Sequence, residues 1–206
     1  MVAIADLAAG LHDPVALLNK FLSIFIAPGL RVEDYAALQM VSVSNGFIER
    51  FVSLGGVAVI NVAADPMATP STSPMTALAP GGIGYQPPLQ GDLETIMATT
   101  HPYITGQGFG GVLLTAQSFA AWGPTDRGYL ISVPAGATVL LRNPGGPTMV
   151  EYPYGAGRVI VSTLTFCTAG EPGSVGDPLD NLLKYTRFYL GTAQTPAPTV
   201  TPTQGP

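Results

Sequence analysis

The chain has 206 residues and a formal net charge of −5, from 8 basic and 13 acidic residues. Its charged fraction is 10%, against about 25% in soluble domains, so most of the chain is expected to be buried. The basic residues are scattered, which excludes a nucleic-acid partner, and no apolar run approaches the ~20 residues of a transmembrane helix. One cysteine and two histidines exclude an internal disulfide and a zinc site. We expect no cofactor and no metal.

The first quarter of the sequence predicts a strand, helix, strand unit. A helix is predicted at 13–21, because Asp13 is a favourable cap and proline follows it at the first helical position. The continuous apolar run at 22–29 predicts a buried strand. The apolar stripe at 47–54 predicts a helix that ends at two glycines, and 57–63 predicts a second buried strand. Such a unit indicates a parallel sheet.

The middle of the chain has fewer periodic signals. Residues 64–91 contain six prolines and no sustained helical or strand period, which predicts a long Pro-rich loop. A short helix is predicted at 92–98, and VLLTA at 112–116 predicts a further buried strand.

The last third predicts strands and a closing helix. The predicted elements are strands at 129–134 and 137–143, a hairpin at 148–166, and an amphipathic helix at 177–190. The remaining residues, 192–206, alternate Pro and Thr and are typical of an extended linker. We therefore assign one domain to 1–191 and expect neighbouring domains of the same polypeptide as partners.

Several segments together resemble the class I glutamine amidotransferase-like superfamily, in its ThuA-like branch. They are FIAPG (25–29), FIERFVSLGGVAVIN (47–61), HPYITG (101–106), VEYPYGAGRVIVSTLTF (150–166) and DNLLKYTRFYL (180–190). The resemblance implies a flavodoxin-like three-layer α/β sandwich, with a central, mostly parallel sheet and an added late β-hairpin. It also implies an extracellular or cell-surface location, because such domains occur in exported multidomain proteins.

The resemblance also implies a catalytic triad, which this sequence lacks. In catalytic members a cysteine follows a parallel strand, where this chain has Asn61-Val62-Ala63-Ala64-Asp65. A histidine and a glutamate follow a later strand, where this chain reads TFCTAGE at 165–171 and retains only Glu171. Without a nucleophile and a base, amide hydrolysis has no mechanism. We therefore expect a non-catalytic interaction or scaffold module.

Four residues remain as candidate ligand-binding positions: Asp65, His101, Trp122 and Glu171. One alternative is a hydrolase whose unorthodox site combines Asp65, His101 and Glu171. Another is a carbohydrate-binding module that stacks a sugar on Trp122 beside the 64–91 loop. If the module does not bind a carbohydrate, the expected ligand is a protein. His101 precedes a proline and is more simply explained as a residue that orients its loop. The acidic residues lie too far apart in sequence to indicate a paired-carboxylate site.

Overall fold

The computed structural model describes residues 4–43, 46–65, 73–91, 94–120, 126–166 and 176–190. Its helices within these ranges are α1 (Ile4–Ala8), α2 (Pro14–Leu18), α3 (Val32–Ser42), α4 (Phe47–Ser53), α5 (Pro102–Thr105), α6 (Ala116–Ala120) and α7 (Gly176–Lys184), which a π-helical segment, Tyr185–Leu190, extends. The strands are β1 (Ser23–Ile26), β2 (Val57–Asn61), β3 (Met75–Ala79), β4 (Ile83–Gly91), β5 (Thr95–Ile96), β6 (Asp126–Ile131), β7 (Thr138–Arg142), β8 (Pro147–Tyr154) and β9 (Gly157–Ser162).

The main sheet has six strands in the order β1-β2-β9-β8-β7-β5. The pairs β1–β2 and β2–β9 are parallel, whereas β9–β8, β8–β7 and β7–β5 are antiparallel. The prediction of an α/β fold with a late hairpin is confirmed, but the mostly parallel, flavodoxin-like sheet is wrong. The β8–β9 hairpin turns at Gly155, whose φ is +57°, so an antiparallel neighbour lies directly beside the last parallel strand.

Two apolar clusters cover the two faces of the main sheet. One contains Ala58 and Ile60 of β2 together with apolar residues from α1, α3 and α4. The other contains Val57 and Val59 of the same strand and residues from α5, α6 and α7. Alternate residues of β2 therefore enter opposite clusters, and all five are buried. This explains why the strand reads as a continuous apolar run.

The start of the chain folds as its local signals predict. Asp13 accepts a hydrogen bond from the Val15 N–H at 3.0 Å, and Pro14 occupies the first position of α2. The register of the parallel pair joins Ile26 of β1 to Ile60 of β2. The strand, helix, strand unit is thus confirmed, although the connection contains α3 as well as the predicted α4.

The segment 64–91, predicted as a loop, contains β3 and β4. These strands join β6 in a second, antiparallel sheet of three strands. Gly81 and Gly82, with φ of +87° and +85°, form the turn between them. The β4–β6 register shifts between Gln86 and Gln90, where Pro87 and Pro88 have no N–H to donate. The prolines thus hide the strand pattern without preventing the strands.

Two other predicted elements are wrong, for related reasons. Residues 95–96, predicted as helix, form β5 at the edge of the main sheet. The predicted strand at 112–116 has no sheet partner, because Asn181 of α7 takes its place. The Asn181 side chain accepts from the Val112 N–H at 2.9 Å and donates to the Val112 carbonyl at 2.7 Å. The backbone polar groups are therefore satisfied without a neighbouring strand. No helix within the described residues is long and apolar enough to cross a membrane.

Candidate functional site

The carboxyl ends of β1, β2 and β9 form the edge where ligands usually bind in α/β sheets. Asn61, the last residue of β2, is buried at this edge. Its amide nitrogen donates to the Leu164 carbonyl at 2.6 Å, and its amide oxygen accepts from the Ala63 N–H at 2.9 Å. Both ends of the amide therefore join the backbone after β2 to the backbone after β9.

The chain beyond β2 continues in an extended conformation. Ala64 forms a parallel bridge with Leu30. The Leu30 N–H donates to the Ala63 carbonyl at 3.1 Å, and the Asp65 N–H donates to the Leu30 carbonyl at 2.9 Å. Val62 and Ala63 are buried. The position where the resemblance implies a nucleophile therefore carries a segment that is paired through its backbone and has apolar, buried side chains at Val62 and Ala63.

Asp65 itself lies at this edge, beside an exposed arginine. Its Oδ2 is 3.9 Å from Nε of Arg31, which is 67% exposed, while Asp65 is 26% exposed. An exposed pair at this distance contributes at most about 1 kcal/mol. The Asp65 carboxylate remains accessible to solvent at the carboxyl end of the sheet.

A buried pair of carboxyl groups lies at the same end of the molecule. Glu94 is 4% exposed and Asp126, the first residue of β6, is 0% exposed. The two carboxyl groups interact, because Asp126 raises the pKa of Glu94. Thr148 Oγ1 donates to Glu94 Oε2 at 2.5 Å, and the Gly128 N–H donates to Asp126 Oδ1 at 3.1 Å. Sequence spacing did not indicate this pair.

Burial is the main cause of the raised pKa of Glu94 in this pair. The pKa of Glu94 is raised to about 8, mainly by burial and in addition by the neighbouring Asp126, whereas the hydrogen bond from Thr148 acts in the opposite direction. Two carboxylates in contact cannot both ionise easily. The pair therefore holds a proton near neutral pH, and a protonated carboxyl is chemically able to act as an acid.

Backbone and side-chain hydrogen bonds fix the second sheet at this end of the main sheet. Asp126 forms an antiparallel bridge with Leu164, and the Arg127 N–H donates to the Thr163 carbonyl at 3.1 Å. Thr163 Oγ1 and Asn143 Nδ2 each donate to the Gly128 carbonyl at 3.2 Å. The carboxyl pair thus lies inside a junction between the two sheets.

Two stacked tyrosines join the second sheet to the helical layer. The rings of Tyr35 in α3 and Tyr85 in β4 are 6.0 Å apart between centroids. Tyr35 Oη donates to the Val62 carbonyl at 2.8 Å, and Tyr85 Oη donates to the Arg127 carbonyl. Burial raises the pKa of Tyr85 to about 12, so its hydroxyl stays a donor near neutral pH.

His101 belongs to a different polar cluster. It caps α5, where its Nδ1 accepts from the Tyr103 N–H at 3.3 Å. Its Nε2 is 3.4 Å from Glu151 Oε2, and burial followed by the charge of Arg158 lowers the pKa of His101 to about 4. The imidazole is therefore neutral at pH 7, and its contact with Glu151 is a long hydrogen bond rather than an ion pair. The prediction that His101 orients its loop is confirmed.

The centre of the His101 cluster is Glu151, in the middle of β8. It is 2% exposed and lies 2.9 Å from Nη1 of Arg158, which is 45% exposed. Tyr185 Oη donates to the other carboxylate oxygen at 2.9 Å. Burial raises the pKa of Glu151, while Tyr185 and Arg158 oppose that rise. This acid is neutralised by a cation.

The structure does not bring the candidate residues together. Glu151 is paired with Ile160 of β9, and Ile160 is paired with Val59 of β2. Asp65 lies six residues beyond Val59, which corresponds to at most about 20 Å at ~3.3 Å per residue of extended chain. Asp65 and the His101 cluster therefore occupy different levels of the sheet. Trp122 and Glu171 lie outside the described residues, so the hypotheses that depend on them stay predictions.

A surface cavity with a volume of about 310 Å³ lies among α1, α2, α3 and α4. Its lining includes His12 and Arg50 together with the apolar side chains of Leu7, Met40 and Phe47. Neither Asp65 nor His101, the two candidate residues that the structure describes, lines it. It is therefore not part of the site that sequence reasoning indicated.

No family model and no curated protein matches this chain. Among solved structures, it is similar to cytoplasmic protein STM3548 from Salmonella typhimurium, with 14% identity and a TM-score of 0.47 over 83% of this chain and 74% of that one. Cytoplasmic protein STM1381 from Salmonella typhimurium LT2 matches with 17% identity and a TM-score of 0.41 over 87% and 74%.

A third similar structure is exo-beta-1,4-mannosidase Op5Man5 from Opitutaceae bacterium strain TAV5. The identity is 16% and the TM-score 0.36, and the match covers 85% of this chain but 25% of that enzyme. At these identities and TM-scores, the three similarities carry no argument about function.

Proposed function

We propose that this domain is a non-catalytic interaction or scaffold module of a larger, exported multidomain protein of the glutamine amidotransferase-like kind. The observation that carries the proposal is that the chain after β2 is paired through its backbone and buries its side chains. A nucleophile in such a fold needs a sharp turn that lifts one side chain out of the sheet. Here Ala64 pairs with Leu30, and Val62 and Ala63 face the interior.

Asn61 at the end of β2 and His101 in its separate cluster support the same proposal, because both side chains have structural partners. The side-chain amide of Asn61 is hydrogen-bonded to the backbone at Ala63 and Leu164. Nδ1 of His101 accepts the hydrogen bond that caps α5, and its Nε2 contacts Glu151. A histidine with both nitrogens engaged and its pKa lowered to about 4 is a poor general base at pH 7.

A hydrolase is the rival function, and one observation favours it: the protonated Glu94 beside Asp126. A carboxyl kept neutral at pH 7 is a known form of general acid. Both side chains are, however, at least 96% shielded from solvent, with exposures of 4% and 0%. The buried pair therefore supports a role in the junction more than a role in turnover.

The extracellular or cell-surface location and the neighbouring domains as partners belong to the same proposal. They depend on the family resemblance and on the Pro/Thr-rich composition of residues 192–206. A protein or a carbohydrate is the proposed ligand class.

A panel of amide, ester and glycoside substrates tests the proposal. We expect no turnover above the uncatalysed rate with the wild-type chain. The matched variants are Asp65→Asn, Glu94→Gln and His101→Asn, each of which keeps the shape of the side chain and removes its acid–base capacity. Turnover by the wild type that disappears in one of these variants would overturn the proposal and identify the catalytic group.

A further inference from the structure

The two edges of the main sheet differ in length and protection. One edge is β5, which has two residues, and the other is β1, with no strand on its outer side among the described residues. The open edge strand of the second sheet, β3, has an irregular register between Met75 and Ala79. Short length and irregular register are usual ways to prevent pairing between edges. β1 has neither.

The backbone of β1 presents N–H and C=O groups on its outer side that pair with none of the described residues. The Val57 N–H donates to the Leu22 carbonyl at 2.9 Å, so residues 22, 24 and 26 direct their polar backbone groups towards β2. In a parallel pair, the residues between them direct theirs away. The N–H and C=O groups of Ser23 and Phe25 are therefore available to another strand.

The side chains along this edge are uncharged and in part apolar. Phe21 is 56% exposed, Leu22 is 52% exposed and Phe25 is 36% exposed. Residues 21–30 read FLSIFIAPGL and contain no charge. Natural edge strands usually carry a charged residue or a bulge that discourages pairing. This edge has the composition of a strand that pairs.

We infer that a second copy of this chain binds along β1 in antiparallel orientation. The geometry that favours a second copy is self-complementarity: Ser23 of one copy and Phe25 of the other both present outward N–H and C=O groups, and can exchange two hydrogen bonds. The two-fold axis then passes beside Ile24. Leu22 faces Ile26, Phe21 faces Ala27, and no like charges face each other.

The resulting dimer joins two six-stranded sheets into one continuous sheet. Isologous pairing of this kind closes after two copies and does not continue into a fibre. Apolar contact among the exposed Phe21, Leu22 and Phe25 side chains adds to the backbone hydrogen bonds. The inference concerns association alone and holds with or without a catalytic activity.

Sedimentation analysis of the full chain over a range of concentrations tests the inference. We expect a reversible dimer, and we expect Ser23→Lys to raise its dissociation constant at least about tenfold, since like charges then approach across the axis. Ser23 is exposed, so the fold should be retained, which the far-UV circular dichroism spectrum checks. Leu113→Lys, at a residue that is 65% exposed in another part of the chain, is the matched control and should leave the constant unchanged.

A cross-linking experiment tests the register. In a Cys167→Ser background, Ile24→Cys should give a disulfide-linked dimer on mild oxidation, because non-hydrogen-bonded antiparallel pairs bring Cα atoms to about 4.5 Å. Leu113→Cys in the same background should stay monomeric on a denaturing gel. A wild-type chain that is monomeric at every concentration, or a dimer that Ser23→Lys does not weaken, would overturn the inference.

Discussion

The chain buries two acidic groups near β8 and neutralises them in opposite ways. Glu151, in the middle of the strand, is matched by the cation of Arg158 and by the hydroxyl of Tyr185. Glu94 receives a hydrogen bond from Thr148, near the start of the same strand, and contacts a second acid, Asp126. It makes no ion pair among the described residues. The charge of Glu151 is therefore balanced by a permanent cation, whereas Glu94 is kept neutral by a proton.

This difference teaches where the domain is sensitive to pH and where it is sensitive to mutation. A guanidinium keeps its charge over the whole accessible pH range, so the Glu151 cluster depends on the presence of one side chain. The proton on the Glu94–Asp126 pair depends on the solution. The next predictions separate these two dependences.

The largest effect is expected from Arg158→Leu. This change leaves Glu151 buried without a cation, and removal of one partner from a buried ion pair costs 3–5 kcal/mol. Because Arg158 is 45% exposed, we expect a loss at the low end of that range, about 3 kcal/mol, in the free energy of unfolding measured with urea at pH 7.

Two further variants control this prediction. Arg142→Gln, at an exposed position of β7, removes a positive charge from the same sheet and should change stability by less than about 0.5 kcal/mol. Glu151→Gln added to Arg158→Leu should recover part of the loss, because the buried charge is then gone while the group still accepts from Tyr185. If the double variant is less stable than Arg158→Leu alone, the ion pair is not the cause.

A smaller effect, with the opposite sign, is expected from Glu94→Gln. The folded pKa of Glu94 is about 8, above its unfolded value, so the folded state binds more protons and wild-type stability falls as pH rises from about 4.5 to about 8. Glutamine mimics the protonated acid, donates to Asp126 and accepts from Thr148. We expect the variant to be about 2 kcal/mol more stable than wild type at about pH 9, and close to wild type at about pH 5.

The same urea denaturation series at several pH values checks this prediction. Glu33→Gln, which removes an exposed carboxylate from α3, is the matched control. It should change stability by less than about 0.5 kcal/mol at every pH. A Glu94→Gln variant that is less stable than wild type at alkaline pH would mean that the folded protein holds Glu94 as an ionised carboxylate.

The elements that local sequence signals specify were predictable. Asp13 and Pro14 marked the start of α2, paired glycines marked the end of α4, and the hairpin at 148–166 was evident from alternation around a glycine-containing turn. Whether neighbouring strands of the sheet run parallel or antiparallel was not predictable in the same way. An apolar run indicates burial but does not name the neighbouring strand, and at Val112 that neighbour is the side chain of Asn181.

The candidate site was harder to predict, because its parts come from separate segments. Glu94 precedes β5 in the main sheet, whereas Asp126 begins β6 in the second sheet. One signal was nevertheless present in the sequence. Asp126 lies in phase with Gly128 and Leu130, the buried face of an alternating strand, and a charged residue on such a face needs a partner. The identity of that partner depends on the three-dimensional structure.

The smallest effect is expected from His101→Asn, which tests the weaker contact of the Glu151 cluster. Asparagine is a favourable helix cap, so its side-chain oxygen can accept the hydrogen bond that the Tyr103 N–H donates to Nδ1 in the wild type. The variant then loses only the long contact with Glu151. Stability at about pH 8 should change by less than about 0.5 kcal/mol.

The wild-type pKa of His101 is lowered to about 4, below its unfolded value, so the wild type loses stability as pH falls from about 6.5 to about 4. The variant should lose less over that interval, and His12→Asn, at the other histidine, should behave as the wild type. Equal losses in His101→Asn and wild type would mean that the imidazole is protonated in the fold and contacts Glu151 as an ion pair.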